Sequence, residues 1–90
     1  LIPVVVVHRG DAESGAVIVK HNRLGAGCQV YARTVDGEGA PAWLAVLGPA
    51  PVTEAEADAY VRRAIDRDPD AWVVEIEDKD GRYELDAKVV

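Results

Sequence analysis

The sequence predicts an α+β domain in which an antiparallel sheet of about five or six strands carries one helix on a face. Three features support this: short apolar or alternating runs, glycine-containing turns between them, and one long stretch with helical spacing. The predicted order is ββββαββ. Short connections favour antiparallel pairing. Ninety residues suit one such domain, which spans residues 1–90.

Four strands are predicted before the helix. The first is a β-branched run that is apolar on both faces, which is typical of a buried strand. A turn over residues 9–15 favours a hairpin between it and the second strand. The third strand alternates, and the Asp36-Gly37-Glu38-Gly39 turn joins it to the fourth. The four predicted strands cover residues 2–8, 16–20, 28–35 and 42–47.

The helix is predicted to begin at a capping box. Thr53 can accept a hydrogen bond from the amide of Glu56, and Pro69 ends the helix by restricting the residue before it. Asp58 and Arg62 are expected to pair on its outer face. The apolar stripe consists of Ala57, Tyr60, Val61, Ala64 and Ile65.

Two more strands are predicted after the helix. The first covers residues 71–77 and the second covers residues 83–89, with a turn at Asp80-Gly81 between them. The second alternates cleanly and is expected to form an edge strand.

Charge is distributed unevenly along the chain. The net charge is −6, and residues 53–90 hold six basic and twelve acidic side chains, whereas residues 1–52 are balanced. A basic face for nucleic acid or for an anionic membrane is therefore not expected.

The glycines of Gly25-Ala26-Gly27 precede a strand and not a helix, so they do not form a dinucleotide fingerprint, and no cofactor is predicted.

Cys28 is the only cysteine, which suits a reducing compartment, and we expect a cytoplasmic protein. The longest apolar run, residues 2–7, is far too short to cross a membrane. The chain opens at Leu1 inside a strand-like run, so we expect that an N-terminal segment precedes it.

Two separated blocks resemble a known family. They are Arg9-Gly10-Asp11 followed by Gly15-Ala16-Val17-Ile18-Val19-Lys20, and Asp68-Pro69-Asp70-Ala71-Trp72-Val73-Val74-Glu75-Ile76 directly after the helix. In order and spacing they are similar to small bacterial proteins filed as domain of unknown function 1491. The resemblance covers residues 4–78 and implies a cytoplasmic bacterial protein. It also implies a helix before the first strand, and it brings no mechanism.

Four acidic residues near the C-terminus are candidate ligands. Glu75 and Glu77 share a strand face about 7 Å apart, and Asp78 and Asp80 follow. Such carboxylates could hold a divalent cation or act as an acid and a base in a weak hydrolase. The alternative is the solvated face of a strand, where charges oppose aggregation.

Three residues of the first turn are candidates for binding an anion or a partner: His8, Arg9 and Asp11. The alternative is a simple turn in which Gly10 permits positive φ.

Cys28 and His21 could form a nucleophilic pair, although a lone cysteine is more often a small buried apolar residue.

Trp43 and Trp72 are expected in the core or at an interface. Because no convergent catalytic set is visible, we predict a non-enzymatic protein-interaction or accessory module, with a protein partner or self-association as a dimer. The alternative is a protein that binds a small ligand or a divalent cation.

Overall fold

The computed structural model describes residues 2–13 and 15–90. Within them the chain forms five strands, one α-helix and a short 3₁₀ turn, which confirms the predicted α+β class. The elements are β1 (Val4–His8), β2 (Val17–Asn22), the 3₁₀ turn (Leu24–Ala26), β3 (Cys28–Val35), β4 (Pro41–Ala45), α1 (Glu54–Arg67) and β5 (Trp72–Glu77).

The sheet has the strand order β1-β5-β2-β3-β4 and is mostly antiparallel. The predicted hairpin between the first two strands is wrong, because β5 lies between β1 and β2 and runs parallel to β2. β5 is an internal strand, and both of its faces are covered: Val73 is buried beneath the helix and Ile76 is buried on the opposite face. The chain between β1 and β2 therefore crosses the end of β5.

The prediction of a buried first strand is also wrong. β1 is an edge strand, and its four valines are 47–60% exposed. Its apolar sequence resembles that of an internal strand, but it has β5 on one side only. The valine run therefore remains at the surface.

The helix covers one face of the sheet, as predicted. Thr53 Oγ1 accepts a hydrogen bond from the Glu56 amide at 3.1 Å, and the helix ends at Arg67, two residues before Pro69. Ala57, Val61 and Ala64 turn inward. The core on this face contains Ile18, Cys28, Val30, Ala57, Val61, Ala64 and Val73.

The C-terminal segment, residues 83–90, covers the opposite face. The predicted last strand is wrong as a ladder strand, because the segment joins the sheet only through an isolated bridge between Trp43 and Val89. The alternation in its sequence has another cause: every second residue packs onto the face of the sheet. These residues are Tyr83, Leu85 and Ala87, which lie against Val19, Tyr31, Trp43 and Ile76.

Candidate functional site

The outer side of β1 is a free backbone edge among the described residues. The carbonyl of Pro3 accepts a hydrogen bond from the Glu77 amide at 3.0 Å. In an antiparallel ladder, hydrogen-bonded and non-hydrogen-bonded pairs alternate. Val4 and Val6 therefore direct their N–H and C=O groups away from β5, and these groups can receive another strand.

A groove of about 260 Å³ lies between β1 and the flank of the helix. The pairing of β1 with β5 is irregular between Val6 and His8, as at a β-bulge. Val7 lies on the helix side of the sheet, the face that Val5 shares opposite Glu75. It lines the groove together with Asp58, Val61, Arg62 and Ile65. A strand that paired with β1 could place alternate side chains in this groove.

The other edge of the sheet, on β4, is covered. The amide of Trp43 donates to the carbonyl of Lys88 at 2.8 Å, and the amide of Val90 donates to the carbonyl of Trp43 at 2.8 Å. Lys88 also forms an ion pair of 2.8 Å with Asp36. The two edges of the sheet therefore differ: the C-terminal segment occupies the β4 edge, whereas β1 remains open.

A buried lysine lies between the sheet and the helix. Lys20 is only 3% exposed, and its Nζ contacts three carboxylates: Asp58 at 2.6 Å, Glu54 at 2.9 Å and Glu75 at 3.3 Å. Asn22 donates to Glu54 and Glu75 from the same face of β2. The predicted pairing of Asp58 with Arg62 is replaced by this inward contact.

The carboxylates keep Lys20 charged. Burial alone would lower the pKa of the Lys20 ammonium, but hydrogen bonds to Asp58, Glu54 and Glu75 outweigh it and raise that pKa. Sequence reasoning missed this cluster. The sequence did contain one signal: Lys20 is two residues from Ile18, so the two side chains lie on the same, inward face of β2. The partners of β2 were not known, so the carboxylates that face Lys20 could not be identified.

Two of the five predicted binding residues, Arg9 and Asp11, contact a third, Trp72, where the first loop crosses the end of β5. Trp72 Nε1 donates to the Asp11 carbonyl at 3.0 Å, and the Arg9 guanidinium lies 5.9 Å from the centre of the Trp72 ring. His8 Nδ1 is 2.8 Å from the Ala71 carbonyl. The contacts join the loop to β5. The prediction that these residues bind an anion or a partner stays a prediction.

Gly10 was predicted to give the loop a positive φ, but the structure gives a different reason for glycine at this position. Its φ is not in the left-handed region. A Cβ on Gly10 would instead collide with the carbonyl oxygen of Asp70, and a Cβ on Gly15 would do the same. Glycine is therefore required because the two backbones approach closely.

Trp43, the fifth predicted binding residue, lies on β4, at the opposite edge of the sheet from β1. It is 4% exposed beneath the C-terminal segment, and its Nε1 donates to Asp86 at 2.9 Å. The Arg33 guanidinium lies 5.0 Å from the centre of the ring. In this position the Trp43 side chain anchors the segment that covers it.

The four acidic candidates do not all face the same space. Glu75 contacts Lys20, whereas Glu77, Asp78 and Asp80 line a cavity of about 220 Å³ together with Lys79 and Arg82. Within residues 2–13 and 15–90 no three His, Cys, Asp or Glu side chains are placed to hold a metal ion. The cation site stays a prediction.

Asp78 fixes the turn that leads into the C-terminal segment. Its carboxylate lies 2.8 Å from His21 Nε2 and accepts hydrogen bonds from the amides of Arg82 and Tyr83, both at 2.9 Å. Burial would raise the pKa of Asp78, but these hydrogen bonds outweigh it and lower the pKa to about 2.

Cys28 and His21 do not form a pair. Cys28 lies opposite Asn22 in the β2–β3 ladder and belongs to the core under the helix. His21, the neighbour of Asn22 along β2, points to the other face, where its ring meets Tyr83 edge-on at 5.7 Å. Burial raises the pKa of the Cys28 thiol, which disfavours the reactive thiolate.

Comparison with known proteins identifies one family. Residues 1–86 match the family model described as protein of unknown function (DUF1491). The crystal structure of a DUF1491 family protein from Caulobacter crescentus CB15 is 38% identical, with a TM-score of 0.83 over 99% of this chain and 82% of that chain. The NMR structure of a DUF1491 family protein from the same organism is 40% identical, with a TM-score of 0.76 over 99% of this chain and 80% of that chain.

A third structure, the solution structure of protein Atu0922 from A. tumefaciens, shares the fold. It is 22% identical, with a TM-score of 0.68 over 91% of this chain and 71% of that chain. No curated protein matches the chain. In the part of the chain that the structure describes, no helix is long and apolar enough to span a bilayer.

Proposed function

This chain belongs to the DUF1491 family of proteins of unknown function, and we propose from its own surface that it is a non-enzymatic protein-interaction module. In this proposal, an extended segment of a protein partner pairs with the free edge of β1. The main support is the run of four exposed valines on an edge strand with outward-directed backbone groups.

The chemistry of β1 supports strand addition. Natural sheets usually protect an exposed edge with charged side chains, and residues 4–7 have none. A partner strand would bond to the outward groups of Val4 and Val6. Its alternate side chains would enter the groove beside Val7. Backbone pairing would supply affinity, and the groove would supply specificity.

The placement of the chemically active side chains supports a non-enzymatic role. Lys20 and Glu75 contact each other, Asp78 contacts His21, and Cys28 is buried in the core. Each of these contacts stabilises the packing of an element. A catalytic acid, base or nucleophile must instead face solvent, where a substrate can reach it.

Amide NMR with a synthetic peptide tests the proposal. The probe is a capped peptide of alternating valine and threonine with lysine at both ends, added to ¹⁵N-labelled protein. We expect the largest shifts at the amides of Val4 and Val6 and in the groove at Ile65. The Val6→Lys variant should lose the response. The matched control, Val35→Lys, changes another exposed valine far from β1 in the sheet order and should keep it.

A shift pattern that avoids β1, or one that survives in the Val6→Lys variant, would contradict the strand-addition proposal.

A second candidate function is binding of a small cationic ligand or a divalent cation. Its support is the cavity that Glu77, Asp78 and Asp80 line. Thermal unfolding with Ca²⁺, Mg²⁺ or Zn²⁺ tests it, because ligand at about 100 times its dissociation constant stabilises by about 2.7 kcal/mol. An unchanged Tm with all three ions would exclude the binding of a divalent cation in this cavity.

We also propose a cytoplasmic location. The support is a single cysteine, Cys28, which is free and buried in the core and suits a reducing compartment. Immunoblotting of cytoplasmic and periplasmic fractions would test this, and a periplasmic signal would contradict it.

A further inference from the structure

We propose that the strand that adds to β1 is β1 of a second copy of this chain, so that two sheets join across a two-fold axis into one continuous sheet. This inference rests on the proposed function, since it uses the same edge. It specifies the occupant: an identical chain, in antiparallel orientation.

The two edges of the sheet determine how such an assembly would grow. The β4 edge is occupied by the backbone of Lys88 and Val90, so in the described residues β1 is the edge that remains open. A contact that uses the same edge in both copies is isologous and closes at two subunits. The structure therefore favours a dimer over an open chain of subunits.

The sequence of β1 suits pairing with itself. Residues 4–7 are all valine, so antiparallel pairing centred on Val5 or on Val6 places valine against valine on both faces. No charge is brought opposite a like charge within the strand, and β-branched pairs stabilise such ladders. The apolar grooves beside Val7 in the two copies would then lie on the same face of the joined sheet.

The two ends of β1 carry complementary charge. Arg9 follows the C-terminal end of the strand and is exposed. The N-terminal end, at Ile2 and Pro3, borders the cavity that contains Glu77 and Asp80. Lys79 and Arg82 also line this cavity, together with Asp78, so that its acidic side chains outnumber its basic ones by one.

Antiparallel pairing across a two-fold axis brings each Arg9 to the acidic end of the other copy. With Val6 opposite Val6 of the other copy, the outward-directed backbone groups of the two strands face each other, and Arg9 falls beside Pro3 of that copy. The guanidinium can then reach Asp80, which is exposed. A dimer would contain two such contacts, one at each end of the paired strands. Parallel pairing would instead place Arg9 beside Arg9, which is unfavourable.

Sedimentation velocity over a concentration series tests the inference with the full chain. We expect a reversible monomer–dimer equilibrium for the unchanged protein. Val6→Lys should raise the dimer dissociation constant about a hundredfold, since like charges would meet near the two-fold axis. The matched control Val35→Lys should leave the constant unchanged, because Val35 is also exposed to solvent but lies on β3, away from β1.

A charge exchange tests the orientation. Arg9→Glu should raise the dissociation constant about tenfold, because it places an acid at the acidic end of the other copy. Adding Asp80→Arg to Arg9→Glu should restore the dimer. Loss of the dimer in Val35→Lys, or no difference between Arg9→Glu and the double variant, would overturn the antiparallel pairing.

A protein that stays monomeric up to millimolar concentration would overturn self-pairing. The valine–threonine peptide then separates the two proposals. If the peptide shifts the amides of Val4 and Val6 in that monomer, strand addition stands with a different protein as partner. If it does not, both proposals fail.

Discussion

At the scale of single residues, Lys20 shows how a charge can be buried without being lost. Its ammonium group is removed from water, which is unfavourable, but it meets Asp58, Glu54 and Glu75 within 3.3 Å. Because Glu54 and Asp58 belong to the helix and Glu75 belongs to β5, the contacts also fix the position of the helix on the sheet. Removal of the lysine would leave three carboxylates close together.

We therefore expect Lys20→Met to destabilise the protein. A broken buried ion pair typically costs 3–5 kcal/mol, but the Glu54 and Asp58 side chains are 56% and 47% exposed, so about 2–3 kcal/mol is expected. Urea unfolding at pH 7 measures the difference. Lys79→Met, which changes an exposed lysine, is the matched control. Equal stability of the two variants would contradict a structural role for Lys20.

Asp78 gives the protein an acid-sensitive contact. Its pKa is about 2 in the folded state and about 3.9 in an unfolded chain. The stabilisation from ionised Asp78 is therefore present above about pH 4 and is lost as the pH falls towards 2. We expect Asp78→Asn to be less stable than the unchanged protein at pH 7, with a difference that shrinks between pH 4 and pH 2. Urea unfolding across this range measures it, and a difference independent of pH would contradict the assignment.

At the scale of elements, the loop between β1 and β2 depends on the close approach of two backbones. The amide of Asp11 donates to the Asp70 carbonyl at 2.9 Å, and the same oxygen would collide with a Cβ on Gly10. The loop must therefore contain glycine at this point, whatever its φ. This explains the glycine of the Arg9-Gly10-Asp11 triplet without any ligand.

Gly10→Ala should consequently destabilise the protein by about 1–3 kcal/mol, the usual range for forced overpacking. Gly37→Ala is the matched control, since a Cβ on Gly37 meets no atom within 4 Å. Urea unfolding compares the two, and the fluorescence of the adjacent Trp72 reports whether the loop has moved. A Gly10→Ala variant as stable as Gly37→Ala would show that the loop tolerates separation from β5.

Local patterns predicted the elements whose signals are contained in a few residues. The Thr53–Glu56 cap, the end of the helix before Pro69 and the hairpin at Asp36 are all present. In that hairpin Asp36 accepts hydrogen bonds from the amides of Glu38 and Ala40. These features depend on interactions between residues at most a few positions apart, so the sequence alone was sufficient.

Long-range pairing was not predictable in the same way. The insertion of β5 between β1 and β2 depends on contacts between residues more than fifty positions apart, such as Ile18 with Val73. An apolar run such as residues 4–7 has the same appearance in an internal strand and in an open edge strand. The Lys20 cluster was missed for the same reason, because its four members come from β2, β5 and the helix.

At the scale of the whole molecule, the C-terminal segment has two structural roles. Tyr83, Leu85 and Ala87 cover the face of the sheet opposite the helix. The residues that follow them hydrogen-bond to Trp43 and occupy the β4 edge. The same segment that completes the core thus leaves one open edge on the sheet that residues 2–13 and 15–90 form, and this asymmetry is what limits the proposed self-pairing to two copies.

Deletion of residues 87–90 should remove this limit. The deletion retains Asp86, which anchors the Trp43 indole, but it removes both backbone hydrogen bonds that cover Trp43 on β4. The shortened chain then has an open strand at each end of its sheet, and an assembly that uses both edges no longer closes. We expect light scattering to show species larger than a dimer, whose mean mass rises with concentration.

Val6→Lys in the shortened chain provides the control for this deletion. The substitution blocks β1, so only the newly opened β4 edge can pair, and association should again stop at two copies. Far-UV circular dichroism establishes that the shortened chain remains folded, so that aggregation of unfolded protein is not mistaken for strand pairing. If the folded, shortened chain has the same mass as the full chain at every concentration, the C-terminal segment does not limit assembly, and the number of subunits must be determined by something other than the open edges of the sheet.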